Sequence, residues 1–295
     1  MNFVEYAISK LRNPSGLVKL VREPQRIKNY IASMLSDFRD ETLRGERSIF
    51  YGTFCALTEL LQRYRGSGNA TVESLDEFHE IAEDKDCKDL AELFALYGSD
   101  KSTTHNYHLI YGQILYGRRH QPLNILEIGL GTCNTDVPSN MGSQGKPGAS
   151  VRAFRDWATN ATVVGADIDR RVLFSEERIV TYFVDQTDPE TLRELAQRFQ
   201  KNSFDLFIDD GLHNTWANFN TLSIGLDLIK SNGAIVIEDI SESYLPAWQA
   251  ASIILDKDYY CRLIRTRNAY VCLIRKKIAL SGAHYSSRLR FKPSK

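Results

Sequence analysis

The chain has 295 residues, 43% of them hydrophobic and 25% charged, as expected of a globular protein with one large domain or a core plus an accessory region. Lysine plus arginine and aspartate plus glutamate both number 37, so the net charge is zero; this argues against a nucleic-acid partner, because phosphate binding leaves a basic footprint. No run is long enough to span a membrane, MNFVEYAISKLRNPSG is too charged for a secretory signal, and the five scattered cysteines form no zinc spacing, which together predict reduced thiols and a cytoplasmic protein.

The pattern changes near residue 95. Before it, YIASMLSDF, FCALTELLQRY and LDEFHEIAEDKD have helical spacing, which predicts an N-terminal helical accessory region over 1–95. Such a region often serves assembly, so a homo-oligomer is expected. Residues 96–280 read as an α/β domain, and 281–295 as a basic, solvated C-terminal tail. Short apolar runs predict strands at NILEIG (124–129), TVVGADI (162–168), IVTYFVD (179–185), FDLFIDD (204–210) and AIVIED (234–239). Continuous apolar runs suit a parallel sheet buried on both faces. Between them, DPETLRELAQRFQK is a helix capped by Asp188 with Pro189 in its first turn, and ANFNTLSIGLDLIK is a helix ended by Asn232 and Gly233. YYCRLIRTRNAYVCLIRK (259–276) closes the sheet with a hairpin.

In open α/β sheets, ligands bind at the carboxyl ends of the strands. Acids gather there: Asp167 and Asp169 after strand two, Asp185 after strand three, Asp209 and Asp210 after strand four, and Glu238 and Asp239 after strand five, with Glu127 inside strand one. ILEIGLGTCN places Gly129 and Gly131 in a strand-to-loop turn, where glycine admits a ligand close to the backbone. Asn134 stands where a dinucleotide fingerprint would need its third glycine, so a pyrophosphate cradle is poorly supported.

Glu127 before this turn, together with the strand-two acid, resembles the class I S-adenosylmethionine-dependent methyltransferases. The resemblance implies a Rossmann-like, seven-stranded methyltransferase sheet with a terminal antiparallel hairpin. It also implies that Glu127, Gly129 and Gly131 face the amino-acid part of the cofactor. Asp167, or less favourably Asp169, would take the ribose hydroxyls, with Asp185 and Gln186 near the adenine. Ser150 and Arg152, at the helix start GASVRAFRDW, either meet the cofactor carboxylate or form an ordinary cap and surface charge.

Adjacent acids at one rim become favourable when a cation lies among them. Asp210, Glu238 and Asp239 supply hard oxygen ligands of the kind that suit Mg²⁺. IDDGLH, with Glu238–Asp239 after GAIVI, is similar to the metal-dependent sugar O-methyltransferases of macrolide tailoring, the mycinamicin and tylosin type. YGSDKSTTHNY (97–107) and GASVRAFRDW (148–157) also resemble segments of that family. The resemblance covers roughly residues 90–275. It departs from the family at Cys133 and Asn134 and in the long loop 132–148, and residues 1–90 match nothing in it.

The family implies methyl transfer from S-adenosylmethionine to a sugar hydroxyl of a glycosylated natural product or surface glycan. Mg²⁺ would sit on Asp210, Glu238 and Asp239, with His213 as general base. Asp209 is grouped with the cofactor set, as an orienter or a cap to the following helix rather than a metal ligand. Lys101 and Tyr107 are candidates to touch cofactor or substrate, and Trp216 could stack on a sugar. A catechol-type O-methyltransferase and a non-catalytic scaffold are the competing readings.

Overall fold

A computed structural model describes residues 52–63, 71–75 and 79–277. The expected helix YIASMLSDF and the basic tail lie outside them. Residues 52–63 are helical, and Thr58 donates to the Pro246 carbonyl at 2.9 Å, which ties this helix to the body.

Among the described residues, nine strands form one sheet: β1 Val72–Ser74, β2 Asn124–Ile128, β3 Thr162–Asp167, β4 Ser175–Glu176, β5 Ile179–Phe183, β6 Phe204–Asp209, β7 Ile229–Ile240, β8 Tyr259–Arg265 and β9 Tyr270–Lys276. Their spatial order is β1-β8-β9-β7-β6-β2-β3-β5-β4. The seven strands expected from the sequence lie contiguously in this order, β5 to β7 parallel and β9 antiparallel between β7 and β8. Two short strands extend its ends. β4 pairs antiparallel with β5, and β1 pairs parallel with β8. β1 arises in a stretch with helical neighbours; three residues are too few to show a period.

Among the described residues, the helices of seven or more residues that follow β1 are α1 Lys85–Tyr97, α2 His108–Ile114, α3 Ala149–Trp157, α4 Pro189–Ala196, α5 Thr215–Leu228 and α6 Leu245–Leu255. Strand alternation sorts the core into two layers. Ile125, Val163, Leu206, Ile208, Ala234 and Val236 meet Leu90 and Phe94 of α1, Tyr111 of α2, and Phe154 and Trp157 of α3. Leu126, Val164, Phe207, Ile235 and Ile237 meet Leu192 of α4, Leu222 and Leu228 of α5, and Trp248 of α6. The sheet is therefore dry on both faces, as the unbroken apolar strands required.

Side-chain caps set the helix starts. Asp84 accepts from the Cys87 amide, Asp188 from the Glu190 amide and Asn214 from the Trp216 amide. Helix α5 ends at Leu228, before the expected Asn232–Gly233 stop. The chain turns straight into β7 there because Ile229 already pairs with Phe204.

Candidate active site

The same alternation decides which acids meet. Glu127 follows Ile125 on β2, Asp210 follows Ile208 past the end of β6, and Glu238 follows Val236 on β7, so all three face the layer of α1 to α3. Lys101, from the segment between α1 and α2, meets them there. Its Nζ lies 2.6 Å from Asp210, 2.5 Å from Glu238 and 3.2 Å from Glu127, and the residue is 1% exposed. Burial opposes an ammonium charge, but these three carboxylates outweigh it and hold Lys101 protonated well above its usual range. Tyr111 donates to the second oxygen of Glu238, and Ser150 donates to Glu127 at 2.6 Å. Burial raises the Glu127 pKa.

Asp209 alternates to the opposite layer and is fully buried. It accepts from Gln186 at 2.7 Å and from Asn218 of α5 at 3.1 Å. Gln186 also donates to Thr221 and accepts from the Leu212 amide at 2.8 Å. Asp209 and Gln186 thus anchor the loop 210–214 onto α5.

Asp239 departs from the alternation. Its φ is +54°, and the register of β7 against β9 shifts between Ile237 and Ile240. Its carboxylate accepts from Tyr107, a residue of the other layer, and lies 3.8 Å from Nε2 of His213. His213 is itself at φ +56°. Such backbone is costly for residues other than glycine and collects at functional sites. The result is a half-buried group of Asp210, His213 and Asp239 whose ligand atoms lie within 4.8 Å of one another. His105 stacks on Tyr107, ring centroids 4.6 Å apart, with Nδ1 3.7 Å from Asp239. Glu238 is outside this group and sits one layer deeper, on Lys101 and Tyr111.

A cleft of about 530 Å³, counting its open mouth, adjoins the acids. It is lined by Gly129 and Gly131 of the turn, Asp167 at the end of β3 and Ile168 after it, Val184 to Thr187 after β5, and Asp210 to Leu212 after β6. Val137, Pro138 and Ser139 of the long loop complete the lining, and Ser139 donates to the Leu212 carbonyl at 3.3 Å. Gly129 has φ +99°, and a Cβ there would stand 1.9 Å from the Asp210 carbonyl oxygen. This glycine therefore admits the Asp210 backbone, not only a ligand. At Gly131 a Cβ would meet the Met141 thioether at 2.4 Å.

The remaining expected residues divide. Asp167 lines the cleft while accepting from the amides of Leu130 at 2.8 Å, Gly131 at 3.1 Å and Asp169 at 2.8 Å, so it shapes the glycine turn. Asp185 lines the cleft and accepts from Thr187. Asp169 is taken up by Arg171, Thr132 and Asn134, and the Arg171 guanidinium holds its carboxyl well below the usual range. Arg152, expected either at a cofactor carboxylate or as surface charge, pairs with Glu176 at 2.7 Å, the Pro147 carbonyl and the face of Phe174. Trp157 and Trp248 are buried in the core, whereas Trp216 at the start of α5 is 51% exposed. Lys101 lies within YGSDKSTTHNY and is a candidate from the sequence, whereas Tyr111, four residues beyond that segment, is not.

Comparison with known proteins bears on this geometry. No family model matches the chain. A solved structure of the MycE methyltransferase from the mycinamycin biosynthetic pathway, in complex with Mg and SAH, superposes with a TM-score of 0.50 at 25% identity, over 66% of this chain and 56% of that one. The fold is that of the class I methyltransferases. In sequence, this methyltransferase-fold chain is 32% identical over 207 residues to the 8-demethyl-8-alpha-L-rhamnosyl tetracenomycin-C 2'-O-methyltransferase of Streptomyces olivaceus, covering 70% of this chain and 50% of the relative. It is 31% identical over 164 residues to the demethylmacrocin O-methyltransferase of Streptomyces fradiae, covering 54% of this chain and 38% of that protein. The chain thus spans half or less of the length of these relatives. Among the described residues, no helix is long and apolar enough to cross a membrane.

Proposed function

We propose that the chain transfers a methyl group from S-adenosylmethionine to a sugar hydroxyl of a glycosylated small molecule, assisted by Mg²⁺. One observation carries the reading: Asp210 belongs both to the cleft at the glycine turn and to the cluster with His213 and Asp239. A methyl donor in the cleft and a cation in the cluster would be neighbours. Both groups fit the residues present. Ile168, Val184 and Leu212 offer apolar walls to a purine, and Asp167 and Asp185 offer acceptors to hydroxyl or amino groups. Asp210 and Asp239 offer hard oxygens at a half-exposed rim, the setting in which Mg²⁺ keeps places for water or substrate.

Asp210 and Asp239 would hold a divalent cation, whose chemistry when bound is to lower the pKa of a sugar hydroxyl. Tyr107 orients Asp239, and Lys101 orients Asp210. His213 accepts the acceptor's proton at Nε2, the ring nitrogen on the cluster side. Val137 to Ser139 form one wall of the cleft, and Ser139 ties that wall to the Leu212 carbonyl.

The cluster favours a second role for His213, that of third metal ligand in place of Glu238. The two roles separate experimentally. A base lost in His213→Ala slows the chemical step and leaves cation affinity intact, whereas a lost ligand weakens the cation itself. The function is tested by incubating the chain with S-adenosylmethionine, Mg²⁺ and a panel of rhamnosylated and other glycosylated polyketides, alongside simple catechols. Methylated glycoside, abolished by a chelator, is expected; rapid turnover of catechols with none of any glycoside would overturn the sugar assignment.

A further inference from the structure

The three tryptophans of the chain divide. Trp157 and Trp248 are buried in the two core layers, whereas Trp216 is half exposed and meets no other aromatic ring among the described residues. A single exposed apolar side chain is ordinary, so the position of this one is what counts. Leu212 lines the cleft, and its carbonyl is tied to Ser139. His213, next in the chain, leaves that wall at φ +56° and brings Nε2 to 3.8 Å from Asp239. Asn214 then caps α5 by accepting from the Trp216 amide at 3.0 Å, which fixes Trp216 in the first turn. Side chains in a helix tilt toward its N-terminus, so the indole leans toward the loop that holds His213. The other side of the cluster is polar. Ser241 and Ser243 lie just beyond Asp239 at the surface, their hydroxyls 2.9 Å apart, and the Asp100 carboxylate lies 3.8 Å from His105, which itself stands beside Asp239.

We infer that Trp216 is a specificity-determining residue for the acceptor: its indole takes the apolar C–H face of a pyranose ring whose hydroxyls turn toward His213 and the polar rim. The inference deepens the function proposed above and rests on it. A pyranose is divided in the same way as this rim, with C–H groups on one face and hydroxyls around the edge. The negative face of an indole attracts weakly positive C–H groups, and the edge hydroxyls exchange water for Ser241, Ser243 and Asp100. A flat catechol also stacks on an indole, but beyond its two hydroxyls its edge is apolar and gains nothing from the serines. The stack forms in the bound substrate and persists through the reaction, so Trp216 acts on acceptor binding and not on the chemical step.

The test uses iodide quenching of tryptophan emission with methyl α-L-rhamnopyranoside as the probe, in S-adenosylhomocysteine and Mg²⁺, alongside steady-state methylation of a rhamnosylated polyketide. Because Trp157 and Trp248 are buried, Trp216 supplies the quenchable emission, and Trp216→Phe should remove it. The methyl glycoside should shield Trp216 from iodide at concentrations at which it competes with the polyketide glycoside. Trp216→Ala should raise KM for the glycoside about tenfold and lower kcat less than about twofold. Trp216→Phe keeps a ring and should raise KM less than about threefold. S-adenosylhomocysteine affinity should not change in either variant. If Trp216→Ala fails to fold, shielding in the unaltered chain decides alone. The role of Trp216 is overturned, with the sugar function left standing, if the unaltered chain methylates glycosides while Trp216 stays fully quenchable, or if Trp216→Ala keeps its KM or loses only kcat. Methylation of catechols and of no glycoside, with catechol alone shielding Trp216, would overturn the sugar function and this inference together.

Discussion

At the site, each side chain has a separable task. Asp210 and Asp239 hold the cation in the proposed mechanism, so Asp210→Asn or Asp239→Asn should abolish metal-stimulated turnover. S-adenosylhomocysteine affinity should change little in Asp239→Asn, which lies outside the cleft lining, and more in Asp210→Asn, which lines it. Titration of each variant with S-adenosylhomocysteine checks this; equal collapse of cofactor affinity in both would place these acids in the cofactor pocket instead. His213→Ala should slow the chemical step roughly 10²–10⁴-fold, with Mn²⁺ affinity unchanged. Single-turnover rates together with metal titration decide between base and ligand.

At the level of elements, the glycine turn and the strand ends act as one unit. The Gly129 amide donates to Ala166 of β3, the Asp210 amide donates to Ile128 of β2, and Gly129 packs on the Asp210 peptide. Gly129→Ala would set its methyl against a backbone carbonyl and should cost at least about 3 kcal/mol, by a steric clash added to left-handed backbone strain. Gly131→Ala meets the flexible end of Met141, so its cost should stay near 1–2 kcal/mol of backbone strain, while ligand binding in the cleft weakens. Denaturant unfolding of the two variants reads the contrast, and similar losses would contradict it. Much of this was legible in the sequence. Buried parallel strands announce themselves as unbroken apolar runs, and their terminal acids mark the rim. Alternation from Phe207 and Ile208 even separates Asp209 from Asp210. Lys101 was not legible as a partner because 137 positions separate it from Glu238 along the chain, and only the packing of α1 and α2 on the sheet joins them. Arg152 looked available for the opposite reason: its restraint by Glu176 comes from β4, a two-residue strand that no periodicity reveals.

Across the whole molecule, a further buried acid, at the other end of the strands, ties the lower edge of the sheet together. Asp205 at the start of β6 accepts from Arg118 at 2.5 Å, Lys230 of β7 at 2.6 Å and the Asn124 amide of β2 at 2.9 Å. Burial alone would raise its pKa, but Lys230, the Asn124 amide and Arg118 outweigh burial and leave it below the ordinary value. A depressed carboxylate stabilises the fold above its unfolded pKa, about 3.9, and that contribution is lost as pH falls through the folded value. Asp205→Asn should therefore cost about 2–3 kcal/mol at pH 7, and the gap should narrow as the medium is acidified below about pH 4. Thermal unfolding at the two pH values checks this, and a gap independent of pH would refute it. The site above this edge rests on a central claim, that the cleft at the glycine turn is a methyl-donor pocket beside a cation. Its most direct test is calorimetric titration of the chain with S-adenosylhomocysteine in Mg²⁺-containing buffer. Saturable binding at one site per chain, with micromolar or tighter affinity, is the predicted result. No binding would contradict the account and require a different ligand for the cleft and for Asp210, His213 and Asp239.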